Sequence, residues 1–179
     1  MDTFHLRIFQ HQVLDQCHFL LASANEVNQG LAQHDNNRVF YGIQNLLSAG
    51  ANISKMLWGQ GGKRSEQRKR LRDSIGISDN SPLREVTMRN HFEHMDERID
   101  RWWSESQRHN HADKNIGPKD RTIVGLDTID MFRLFDPQTT EIVFWGQEFN
   151  LQALVNEVQT ILPLLQAEAS KPHWDESDP

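Results

Sequence analysis

The chain holds one cysteine, Cys17, in 179 residues. A lone cysteine excludes an internal disulfide, and with it the small secreted scaffold stapled by such bridges; a reducing cytosol is the expected setting. Proline and glycine are sparse, at 6 and 10, which excludes collagen-like and low-complexity classes. Nowhere do about 18 apolar residues follow one another, the run that a bilayer-spanning helix needs. The opening residues MDTFHLRIFQHQ lack a basic segment followed by an apolar one, so no signal peptide is expected there. The expected location is cytoplasmic, with no membrane partner. Excess positive charge is also missing. The formal net charge is −6, so any contact with a nucleic acid has to come from a local basic patch. No residue pattern demands a cofactor, and none is expected.

What remains is a polar chain whose apolar residues recur mostly with the helical period. The length suits one domain, expected over residues 1–170 with a flexible tail at 171–179. Phe9, Val13, Cys17, Leu20, Leu21, Ala24, Val27 and Leu31 return every three or four positions, which predicts a first helix over about 4–31. HDNN at 34–37 turns the chain into a second helix over about 38–58, ended by GQGG at 59–62. The basic run KRSEQRKRLR, residues 63–72, starts a short third helix reaching about Ile75. Ser81, Pro82 and Glu85 read as an N-cap, a proline at the first helical position and a first-turn acid. They launch a long fourth helix to about Ser106. Residues 107–120 read as an exposed loop. TIDMFRLF and EIVFWG, joined by DPQTT, break the helical period and predict a β-hairpin at about 128–146. A last helix over about 151–169 contains Pro163, expected to kink or divide it. The expected fold is mainly α, a helical bundle with a β-hairpin inserted before its last helix.

The fourth helix holds the densest chemistry, RNHFEHMDERIDRWW at 89–103. At about 100° per residue, Met88, Phe92, Met95, Ile99 and Trp102 share one arc and are the expected core face. Trp102 and Trp103 are read as packing anchors. Three readings fit the polar remainder. The first is a solvated face laced with charge pairs such as Glu97 with Arg101. The second is a metal site on His91 and His94 with Glu93 or Asp96, although the other helices offer no matching ligand set. The third is a phosphate site. The Arg89 guanidinium presents a planar fork of donors and the His94 imidazole exchanges a proton near neutral pH. Five residues apart, the two diverge by about 140° on a helix. A second helix or subunit would have to complete their cleft.

RNHFEH, Arg89 to His94, resembles the R-x4-6-H motif of the HEPN superfamily, in which a polar residue follows the arginine, as Asn90 does here. The helix from Tyr41 to Gly59 is similar to the second helix of bacterial members. The resemblance implies a HEPN-like helical bundle and a metal-independent endoribonuclease that cuts RNA phosphodiesters in a homodimer cleft. In that reading Arg89 and His94 carry the chemistry and Asn90 orients or polarises. Arg64, Arg68, Lys69, Arg70 and Arg72 of the basic run are the candidate RNA-binding residues. The resemblance also allows a non-catalytic binding or dimerisation module, with an antitoxin-like or other protein partner. A metal-binding helical bundle stays as the weakest alternative.

Overall fold

The structure, a computed structural model, describes residues 1–59 and 61–174. The protein is mainly helical, with a small four-stranded sheet ahead of the last helix. No described helix is long and apolar enough to cross a membrane. The chain divides into two compact units.

The first unit comprises Met1–Ser23, Asn45–Val86 and the segment from Leu154 onward. It takes most of helix α1 (Thr3–Ala32), the later part of α2 (Asn36–Trp58), and α3 (Gly62–Gln67) with α4 (Lys69–Ser74). It also takes most of the last helix, α7 (Leu151–Ala169). Val13, Cys17, Leu20, Ile53, Leu57 and Leu165 are among its fully buried side chains. These fall at helical spacing within their own elements, which is why the periodicity found the three long helices to within two residues. Burial pushes the Cys17 thiol up to about 12, which leaves it an inert core residue. Pro163 sits inside α7 without dividing it.

Two features of this unit depart from expectation. The basic run forms two short helices rather than one, with Arg68 as the joint between α3 and α4. Ser81 does cap, accepting a hydrogen bond from the Leu83 N–H, but what it starts is a single 3-10 turn, Pro82–Arg84. Glu85 is extended, so no long fourth helix begins there.

The second unit comprises Ala24–Gln44 and Thr87–Ala153. The end of α1 and the start of α2 meet closely in it. A Cβ placed on Gly30 would lie 2.7 Å from the Val39 nitrogen, so only glycine permits the approach. Next come α5 (Thr87–Glu93) and α6 (Met95–Glu105), where one continuous helix was expected. Four strands follow: β1 (Asn115–Ile116), β2 (Arg133–Asp136), β3 (Glu141–Phe144) and β4 (Gln147–Asn150), paired in that order.

The hairpin prediction holds for β2 and β3, which pair antiparallel from Arg133↔Phe144 to Asp136↔Glu141. Residues 128–130 are a 3-10 turn and not strand. In the turn, the Asp136 carboxylate accepts from the Gln138 N–H at 2.9 Å. A further strand, β4, pairs back on β3 through Trp145 and Gly146, both at positive φ (48° and 74°). That is the backbone of a two-residue hairpin turn, carried here by Trp-Gly in place of the usual Asn-Gly.

Of the loop expected at 107–120, residues 107–109 and 111 are exposed as expected, and residues 112–119 are not. Asn115 and Ile116 add a parallel strand to β2, and Ala112 exchanges backbone bonds with Asp130 and Phe132 at 2.9 Å. Residues 112–119 are half-buried. The expected tail from 171 is described only to Trp174, without helix; its remainder lies outside the described residues.

Candidate functional site

The Arg89–His94 stretch is divided by its own last residue. His94 donates its N–H to the Asn90 carbonyl at 3.0 Å and so closes α5. Its φ of −101° and ψ of 39° then leave the helical region, and it becomes the N-cap of α6. No proline or glycine marks this break. Each helix is instead fastened separately. On α5, His91 stacks on Phe144 of β3 (centroids 4.6 Å, planes 11° apart) and bonds Gln147 of β4 at 2.9 Å. On α6, the Trp102 indole N–H donates to the Asp130 carboxylate at 2.9 Å and to the Asn110 carbonyl at 3.1 Å. Two such anchor points need not share a helix axis.

The break changes the burial expected along the arc. Met88 and Phe92, on α5, are buried as expected. Met95 and Trp102 are only half-buried, and Ile99 is 44% exposed. Trp103, expected to anchor, is 66% exposed. No residue of α6 is fully buried.

Arg89 lies in the interior with its side chain 10% exposed, and its guanidinium pairs with the Glu93 carboxylate one turn on. Its Nε is buried without a hydrogen-bond partner. Asn90 is half-buried. His94 is 49% exposed, with its Nδ1 3.3 Å from the Glu97 carboxylate. Arg89 and His94 thus answer to different carboxylates, and no hydrogen bond or ion pair joins them among the described residues. The expected Glu97–Arg101 pair is not formed. Glu97 sits by His94 and Arg98, while Arg101 bonds Glu105 at 2.9 Å.

His91, a candidate metal ligand beside His94 on sequence grounds, has both ring nitrogens engaged. Arg98 Nε donates to its Nδ1 at 3.1 Å, so Nδ1 carries the lone pair and Nε2 the proton given to Gln147. Among the described residues no group of three or more His, Cys, Asp or Glu side chains is arranged to hold a metal ion.

The basic run is largely consumed inside the first unit. Arg72 is buried; its guanidinium donates to the Leu57 and Ser65 carbonyls at 2.8 Å and pairs with Asp79 at 3.1 Å. It thereby satisfies the Leu57 carbonyl in the last turn of α2, where carbonyls lack helical partners, and joins the Arg68 N–H on the Ser65 carbonyl of α3. Arg68 lies 3.7 Å over the Phe9 ring, and burial followed by the nearby Arg64 charge lowers its pKa. Arg70 holds the Met1 carbonyl and the Thr3 hydroxyl. Lys69 pairs with Asp73 at 2.6 Å on the surface. Arg64 is exposed. The arginines at 68, 70 and 72, three of the five candidate RNA-binding residues, are therefore spent on contacts to other segments of their own unit.

Sequence reasoning passed over two buried polar clusters of the second unit. Asp130 is fully buried and accepts from Ser106 Oγ at 2.6 Å as well as from Trp102. Asp113 chelates the Arg133 guanidinium with both oxygens. Burial raises its pKa, but the Arg133 bond and charge and the Arg133 and Lys114 N–H groups outweigh that and hold it below the ordinary carboxylate value. Neither cluster has a local sequence signature, because each carboxylate lies 20 or more residues from the side chains it accepts from. No family model, curated protein or solved structure matches the chain.

Proposed function

We propose that this chain is a HEPN-like binding module for a protein partner, in which the Arg89–His94 stretch is a structural elbow. The observation that carries the reading is the state of Arg89, buried and neutralised by Glu93. An arginine that binds phosphate has to offer its fork to solvent or to a cleft. Here four acids, Glu93, Asp96, Glu97 and Asp100, surround the stretch and are all exposed, which repels an RNA backbone. The contact surface in this reading is α6. It combines exposed Ile99 and Trp103 with Asp96, Glu97 and Asp100, and suits a partner segment that is basic and partly apolar.

A second reading, a metal-independent ribonuclease at a homodimer cleft, has one observation in its favour. The Arg89 Nε–H is buried and unpartnered, and the His94 ring, five residues on, is half-exposed. A facing copy that drew Glu93 away would free a donor fork beside a proton-transfer group. Incubating varied RNAs with the purified chain and a chelator separates the two. The module reading expects wild type and His94→Ala to leave the RNA equally intact. Cleavage by wild type that is lost in a folded His94→Ala chain would establish the ribonuclease instead.

A further inference from the structure

The outward face of α1 is unlike the rest of the surface. Phe4, Ile8 and Phe19 are 59%, 46% and 57% exposed. At about 100° per residue they fall within about 60° of one another. The opposite side of the same helix supplies Leu6, Val13, Cys17 and Leu20 to the core. Phe4 touches the His173 ring edge-on at 6.0 Å and still keeps that exposure. Nine residues are exposed between positions 4 and 22, and only Asp15 among them carries a full charge. Yet 25% of the whole chain is charged. Depletion of charge around large apolar side chains is the compositional mark of an interface centre.

We propose that this face joins two copies of the chain, with their α1 helices antiparallel about a two-fold axis level with residue 13. The stripe is complementary to itself, which is what a two-fold contact requires. Positions 4, 8, 11, 15, 18 and 22 alternate steps of four and three, the spacing of a seam that faces another helix. An axis at residue 13 sets each position i opposite 26 − i. His11 of one copy then faces Asp15 of the other, twice, so the single charge of the stripe finds a donor on both sides. Phe19 falls level with residue 7, between Phe4 and Ile8 of the facing copy. Each aromatic end therefore enters an apolar gap. The seam from 4 to 22 runs about 27 Å at 1.5 Å per residue. This interface is independent of Arg89 and His94.

Sedimentation of the full chain from about 1 to 100 µM tests it. The wild type is expected to shift from one-copy to two-copy mass within that range. Ile8→Glu/Phe19→Glu is expected to weaken the dimer about tenfold or more while the circular dichroism stays unchanged, since both residues are exposed. His11→Asp alone and Asp15→His alone should each weaken it, and the double exchange should recover it, because the two-fold pairs the positions across copies. A wild type of one-copy mass throughout would leave the face to a different protein and overturn the proposal. A dimer as strong in Ile8→Glu/Phe19→Glu as in wild type would overturn it as well. Failure of the double exchange to recover would overturn the antiparallel pairing.

Discussion

Helices α5 and α6 are neighbours in sequence, and they behave as opposites. In α5, Met88, Arg89, His91 and Phe92 are buried within seven residues. In α6, none of eleven residues is. One helical phase, read straight through from 88 to 102, assigned both the same core face. It held up to Phe92 and failed after His94, where one residue outside the helical region resets the direction of every later side chain. Charged residues also divide by side. Arg89 and His91 are fixed in the interior by Glu93, Arg98 and Gln147, whereas Arg101 and Glu105 pair in solvent. The arginines differ accordingly: Arg89 is held inside, Arg98 reaches back from α6 to His91, and Arg101 lies in solvent.

The contrast should appear first in stability. Phe92→Ala removes a buried ring and is expected to cost about 3–5 kcal/mol, whereas Ile99→Ala on α6 should cost a small fraction of that. Urea unfolding of the two variants compares them directly, and equal losses would restore the single continuous helix phase. Asp130→Ala comes next, at about 1–3 kcal/mol, because it strips the acceptor from the Ser106 hydroxyl and leaves the Trp102 indole N–H with the Asn110 carbonyl alone. Trp102 fluorescence should shift red in that variant as α6 loses its bond to Asp130; an unchanged spectrum would show that the Asn110 carbonyl and the other contacts of α6 suffice to hold it.

A smaller effect is expected in acid, beneath α5. Arg133 lies 5.7 Å from the Phe92 ring and is held by Asp113. The folded-state pKa of Asp113 is depressed. Its contribution is therefore fully present above the ordinary value of 3.8, and it disappears as pH falls through the lower folded value. Asp113→Asn should flatten the loss of stability as pH falls below the ordinary value of 3.8. An unaltered acid slope would mean that Asp136, also depressed despite its burial by N–H donors from Lys119, Gln138 and Thr139, dominates there.

Legibility followed interaction range. The long helices α1, α2 and α7 repeat their apolar residues within one element, so local periodicity located them, and the switch to β-branched and aromatic residues located β2 and β3. The break at His94 has no breaker residue, because it arises from anchors to Phe144, Gln147 and Asp130, which are distant in sequence. Strand β1 is two residues long and acquires its identity only from β2. Arg72 looks like any other member of the basic run, yet it is the one placed against the Leu57 and Ser65 carbonyls. The candidate site was legible as a set of residue types and illegible as an arrangement. Burial of Arg89 and exposure of His94 depend on the same break.

That arrangement is tested most directly by urea unfolding of Arg89→Ala beside His94→Ala. Removing the buried guanidinium and its ion pair with Glu93 is expected to cost about 2 kcal/mol, while removing the half-exposed His94 ring should change stability by less than about 0.5 kcal/mol. Equal and negligible losses at both positions would contradict a structural Arg89, and would return it to the role of an open ligand beside His94.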